Sequence, residues 1–168
     1  MKKHELLEKL KRYVPAGQSP GAEVRTFLVG LVAAALYSMI YLIRYFTARE
    51  ELYEWTLKGW QLREGAVMAD FSDLMAGMML GLVAVALWQV GIAIYHYIYH
   101  YQDTKSIYTM RRLPNPWELH RRCLALPAAG VLICGVAALV LILIYFWVYM
   151  GCTPQECLTP GQWQKFWL

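Results

Sequence analysis

Three stretches of this chain carry no charged side chain: residues 27–43 (FLVGLVAAALYSMIYLI), 74–95 (LMAGMMLGLVAVALWQVGIAIY) and 124–150 (LALPAAGVLICGVAALVLILIYFWVYM). A hydrocarbon core about 30 Å thick takes about 20 helical residues to cross, so each run reaches or nearly reaches that length. Arg44, at the end of the first run, has a stem long enough to carry its charge back to the interface. In hydrocarbon the backbone can satisfy its polar groups only internally, which leaves helices or closed barrels. Runs this long and unalternating predict helices. The expected fold class is all-α: an integral membrane protein with three transmembrane helices over about residues 26–46, 74–101 and 124–150. The expected organisation is a cytoplasmic amphipathic helix and linker over 1–21, a membrane domain over 22–150, and an extracytoplasmic tail over 151–168.

Orientation is read from the 16 Lys and Arg. Lys2, Lys3, Lys9, Lys11, Arg12 and Arg25 precede the first run, and Lys105, Arg111, Arg112, Arg121 and Arg122 lie between the second and third. Between the first two runs, Arg44, Arg49, Lys58 and Arg63 are outnumbered by Glu50, Glu51, Glu54, Glu64, Asp70 and Asp73; after the third run only Lys165 remains. Because short loops rich in Lys and Arg stay in the cytoplasm, the N-terminus and the 105–127 loop are assigned inside a bacterial cell (inner) membrane, and the acidic loop and tail outside. The formal net charge of +4 is accounted for by this asymmetry, and no nucleic-acid partner is expected. With 26 mostly polar residues before a full-length apolar run, the first helix is expected to be retained rather than cleaved as a signal peptide.

Leu6, Leu7, Leu10, Tyr13 and Val14 recur at helical spacing opposite Lys9, Lys11 and Arg12, the pattern of an amphipathic helix on the inner leaflet; the alternative is a soluble basic tail. The proline-free loop TAREELYEWTLKGWQLREGAVMADFSD predicts an interfacial helix with Trp55 and Trp60 at headgroup level. Gly77 and Gly81, at G-x-x-x-G spacing, predict a helix face that a neighbour can approach closely. Three spans offer little internal packing surface, so a homo-oligomer or a second membrane subunit is expected. Cys152 and Cys157, in the expected outer tail, are a candidate disulfide pair.

Chemistry-bearing residues are sparse. His96 and His100, four apart in YHYIYHYQ, share a helical face and could hold a metal or a haem; otherwise they sit in an interface belt with Tyr95, Tyr97, Tyr99 and Tyr101. The runs that flank the second carry no histidine at similar depth, so no metal and no cofactor is expected. Neither a nucleophile triad nor a phosphate-binding Gly-Lys loop is present, and no enzyme is expected.

The segment KSIYTMRRLPNPWELHRRCLALP, residues 105–127, is both basic and stiff. Asn115 is a good N-cap, Pro116 suits the first helical position, and Glu118 stands where a capping-box carboxylate reaches back. Upstream, a short helix over 103–112 is expected to end at Leu113-Pro114. Four arginines and a tryptophan would suffice to bind anionic lipid. The proline turn suggests in addition a fixed shape held against a protein.

The order of inner amphipathic helix, span, outer loop, span, short inner helix with a Leu-Pro turn, and span resembles the first half of a type-2 ATP-binding-cassette exporter permease. Ser106 to Arg122, SIYTMRRLPNPWELHRR, is similar to the segment after that family's second span. The resemblance implies a membrane subunit of a transport complex whose loop couples a cytoplasmic ATPase to the membrane helices, with Lys105, Ile107, Tyr108, Met110, Arg111, Arg112, Leu113 and Pro114 at the contact. Two features depart from the family: three spans instead of six, and Asp103-Thr104-Lys105 where an acidic-Gly-Thr is usual. The competing readings are a small membrane scaffold without transport, and a haem- or metal-binding subunit using His96 and His100.

Overall fold

A computed structural model describes residues 20–57, 59–102 and 117–167. The expected amphipathic helix over residues 1–14 and the expected short helix over 103–112 lie outside them. The elements are α1 (Pro20–Ser38), α2 (Ile40–Glu50), β1 (Tyr53–Thr56), β2 (Gly59–Leu62), α3 (Phe71–Met75), α4 (Leu80–Gln102), α5 (Trp117–Cys152), a 3₁₀ turn (Gln155–Cys157) and α6 (Gln162–Trp167). Three helical stretches, Gly21–Glu50, Leu80–Tyr99 and His120–Cys152, are long and apolar enough to cross a membrane. Their outward side chains are apolar too: Leu36, Ile43, Leu132 and Trp147 are all more than half exposed.

The chain packs as two compact units, one from the residues up to Ala34 with Leu82–Val136, the other from Ala35–Gly81 with Ala137–Leu168. In the first unit, glycines set how closely the helices approach. A Cβ on Gly30 of α1 would stand 3.3 Å from Val85 Cγ2 of α4, and one on Gly130 of α5 would stand 3.0 Å from the Gln89 side chain of α4. These are the small-residue contacts that apolar helices use to pack. The expected pair, Gly77 and Gly81, does not do this: Gly77 has φ +79° and lies in the turn between α3 and α4. Only Gly81 is helical, and the two share no helix face. The second long helix correspondingly begins at Leu80 rather than at residue 74, because 71–75 form a separate short helix closed by that turn.

The core of the second unit is aromatic. Tyr41 and Tyr45 of α2, one turn apart, face Tyr145 and Tyr149 of α5, also one turn apart, with Phe71 of α3 among them. Tyr41 stacks on Tyr145 at 4.5 Å between ring centroids, and Phe71 meets Tyr149 edge-on at 5.6 Å. Each hydroxyl has a partner, as buried polar groups require. Ser38 donates to the Ala35 carbonyl (2.7 Å), so Tyr145 is the donor in its 2.8 Å bond to Ser38. Tyr149 donates to the Ala69 carbonyl (2.9 Å), and Tyr45 pairs with Thr153 Oγ1 (3.0 Å).

Residues 53–56 pair antiparallel with 59–62, with Trp55 opposite Trp60, in place of the expected interfacial helix. Gly59 takes φ +102°, a conformation open to glycine, and Thr56 Oγ1 donates to the Gly59 carbonyl across the turn (2.9 Å). Tyr-Glu-Trp-Thr alternates and is rich in strand-favouring types, and the two indoles meet edge-on at 5.5 Å, a cross-strand pair that a helix would forgo. Both indoles remain exposed. Arg44 donates from Nη1 to the Ala76 carbonyl (3.1 Å), just past the end of α3.

After α5 the chain folds back. The Met68 N–H bonds the Cys157 carbonyl (3.0 Å), and Asp70 accepts from Thr159 Oγ1 (2.9 Å), Gln162 Nε2 (2.8 Å) and Lys165 Nζ (3.0 Å). The Asp70 carboxyl is held below its ordinary range by these donors, Gln162 first. Cys152 and Cys157, the candidate disulfide, are free thiols in this structure: Cys157 is buried against the apolar core and Cys152 is exposed at the end of α5.

Candidate functional site

The site is the base of the 103–116 loop, where the N-terminal end of α1, the C-terminal end of α4 and the N-terminal end of α5 meet within the first unit. The loop residues expected to contact an ATPase, Lys105, Ile107, Tyr108, Met110, Arg111, Arg112, Leu113 and Pro114, lie outside the described residues. What is described is how the two stems of the loop are tied together.

The first tie is His96 on α4. Its side chain is fully buried, Nδ1 lies 3.2 Å from the Cys123 carbonyl on α5, and Nε2 lies 3.0 Å from Glu23 Oε1 on α1. The Cys123 carbonyl is available because of Pro127. In a helix, each carbonyl accepts the N–H four residues on; proline has none, so the carbonyl four residues before it is left without its partner. Pro127 lies inside α5, and the residue four before it is Cys123. The histidine supplies the hydrogen bond that the proline withholds.

A carbonyl only accepts, so His96 Nδ1 carries a hydrogen and donates it to Cys123. Nε2 then faces Glu23. The second carboxylate oxygen, Oε2, is buried and has no hydrogen-bond partner among the described residues. A cavity of about 380 Å³ borders the pair, lined in part by Thr26, Trp88 and Tyr95. Trp88 and Tyr95 are more than half exposed, so the cavity reaches the molecular surface.

The second tie is nearer the loop. Tyr97 of α4 bonds His120 Nδ1 of α5 at 2.8 Å, and Trp117, the first described residue of α5, meets the His120 ring edge-on at 5.9 Å. The loop therefore springs from two helices joined at two levels.

The interface-belt reading fails for His96, which is buried, while Tyr95 beside it is exposed. Both His96 nitrogens are committed to protein partners, so in this arrangement it has no free lone pair directed at a metal. The side chain of His100 lies outside the described residues, and among the described residues no three His, Cys, Asp or Glu come together as a metal site. Glu23 and Pro127 were not legible as site residues from their types. A signal was present: Glu23 stands three residues into a helix that begins at Pro20, at the same end as His96, and Pro127 stands four residues after Cys123.

No protein-family model matches the chain, and no curated protein or solved structure is significantly similar to it.

Proposed function

We propose that the chain is a multi-pass membrane subunit of an ATP-binding-cassette transport complex, most simply an exporter, that couples a cytoplasmic ATPase to membrane helices through its 103–122 loop. On this reading Gly21–Glu50, Leu80–Tyr99 and His120–Cys152 cross the membrane, the N-terminus and the loop are cytoplasmic, and the tail is extracytoplasmic. The exposed apolar side chains on these helices then meet lipid, a second membrane subunit or another copy of the chain, and the basic loop lies beside anionic headgroups.

The observation that carries the proposal is the construction of the loop base. A loop that receives a push from an ATPase must pass it on, and slack stems would absorb it. Here the stems are joined by His96 to the Cys123 carbonyl and by Tyr97 to His120, and the outgoing stem is one helix of 36 residues, Trp117–Cys152. A loop that served only to bind anionic lipid would gain nothing from such a base.

The test is copurification of the full chain from native membranes in mild detergent, followed by identification of associated proteins. An ATP-binding-cassette ATPase is expected with wild type and lost with Arg111→Glu/Arg112→Glu. If the same ATPase is retained by that variant, the loop is not the contact; if no ATPase accompanies the wild type, the scaffold reading takes its place.

A further inference from the structure

We propose that Glu23 and His96 form a single-proton binding site that latches the three helix ends of the first unit together, and that the latch is released when the proton leaves.

The proposal follows from counting donors. His96 Nδ1 must carry a hydrogen, because its partner, the Cys123 carbonyl freed by Pro127, can only accept. The 3.0 Å contact between Nε2 and Glu23 Oε1 then needs one further hydrogen. It can sit on Nε2, giving imidazolium against carboxylate, or on Oε1, giving neutral imidazole against carboxylic acid. Both forms hold one proton and both keep the bond. With that proton gone, the one remaining imidazole hydrogen serves only one side: on Nδ1 it leaves a lone pair facing the carboxylate at 3.0 Å, and on Nε2 it leaves one facing the Cys123 carbonyl at 3.2 Å, so one bond of the joint turns to repulsion either way. The joint and the proton are thus one equilibrium.

The surroundings support a proton as the ligand. The Cys123 carbonyl on α5 meets His96, and Ala22 and Thr26 on α1 with Trp88, Ile92 and Tyr95 on α4 line the cavity beside the pair. Among the described residues no basic side chain other than His96 bonds Glu23, and its Oε2 has no partner to replace the histidine. A proton can still arrive: the neighbouring cavity of about 380 Å³ has room for several waters at about 30 Å³ each. Opening the joint would separate α1, α4 and α5 at the base of the loop and uncover Cys123, which is fully buried while the joint is closed.

Two measurements on the full chain in lipid nanodiscs test this. The first is the nitrogen-15 spectrum of His96, assigned by its loss in His96→Gln, together with the carbon-13 signal of the Glu23 carboxyl at about pH 7.5, above the ordinary histidine value. The expected result is a protonated Nδ1 and one further proton shared by Nε2 and the carboxyl; a bare Nε2 beside an ionised Glu23 overturns the proposal. The second is the alkylation rate of the Cys123 thiol, with Cys134, Cys152 and Cys157 replaced by alanine. Glu23→Gln serves as reference because its amide N–H can donate to Nε2 and keep the joint closed with no titrating proton. The ratio of wild-type to Glu23→Gln rates cancels the pH dependence of the thiol itself. It is expected near one in mild acid and to rise about tenfold in mild alkali, the equivalent of one lost hydrogen bond. A ratio that stays near one throughout overturns the latch. The first measurement does not use Glu23→Gln, so it stands even if that variant fails to fold.

Discussion

Gln162 stands in for a helix cap that Asp70 does not make. Asp70 precedes α3 and is of the type that usually caps, yet its side chain makes no capping bond. Gln162 Oε1 accepts the Phe71 N–H at 3.0 Å, while Gln162 Nε2 donates to Asp70 Oδ1 at 2.8 Å. One amide, 91 residues away in sequence, satisfies both groups. Gln162→Ala removes the bonds to the buried Phe71 N–H and to Asp70 together and is expected to destabilise the protein by about 1–3 kcal/mol. Thermal unfolding in detergent reads this, and a variant indistinguishable from wild type would show that water or a neighbour replaces the amide.

The same cluster sets an acid limit. The Asp70 carboxyl is held below its ordinary value of 3.8 by Gln162, Lys165 and Thr159, so its folded-state affinity for protons is lower than when unfolded. A group depressed in this way contributes stability above its unfolded value and loses it as pH falls through the folded one. The expected outcome is a melting temperature that declines below about pH 3.8 in wild type, with that component of the decline missing in Asp70→Asn. Lys165 is 45% exposed, so Lys165→Ala is expected to cost no more than about 1 kcal/mol.

The link between Pro127 and His96 makes a double-mutant prediction. His96→Ala should destabilise by less in a Pro127→Ala background, because the alanine N–H can then satisfy the Cys123 carbonyl from within α5. The expected coupling is about 1 kcal/mol, the scale of one hydrogen bond. Additive single and double changes would mean that the proline and the histidine act independently.

In the tyrosine ladder the hydroxyls and the rings should separate. Tyr149→Phe strands the Ala69 carbonyl and Tyr145→Phe removes one of the two bonds at Ser38, each expected to cost about 0.5–1.5 kcal/mol. Tyr145→Ala removes a ring stacked on Tyr41 and should cost about 3–5 kcal/mol, as for other large aromatic truncations. Equal losses for the phenylalanine and alanine variants would place the energy in the hydroxyls.

At Gly77 the backbone carries the constraint. With φ +79° and, among the described residues, only Leu80 near an added Cβ, Gly77→Ala is expected to cost about 1–2 kcal/mol through conformation alone, and Gly77→Asn less, since asparagine visits that region more readily. If alanine is tolerated at no cost, the turn before α4 has another way to form.

The three long apolar helices could be read from the chain because charge-free length is a one-dimensional property. The hairpin could not: Leu52, Trp55, Leu57, Trp60 and Leu62 match a helical face about as well as two short strands, and the deciding facts are the φ of Gly59 and the pairing of two indoles. Gly77 and Gly81 fit a helical motif only while both are assumed helical. The partners of His96 were hidden for a similar reason. Metal-binding residue types stand out in a sequence, whereas the actual partners are a carboxylate close to a helix start and a backbone carbonyl exposed by a proline. Backbone groups have no letter in a sequence, and one is marked here only by the proline four residues later.

The fold-back after α5 also bears on timing. Met68, Asp70 and Phe71 leave the ribosome about ninety residues before Cys157, Thr159, Gln162 and Lys165, the residues that complete them. At about 5–20 residues per second, that interval is about 5–20 s. Throughout it the segment before α3 lacks those partners and is open to a quality-control protease. Slowed translation through α5 would lengthen the exposure, and the arrival of Gln162 would end it.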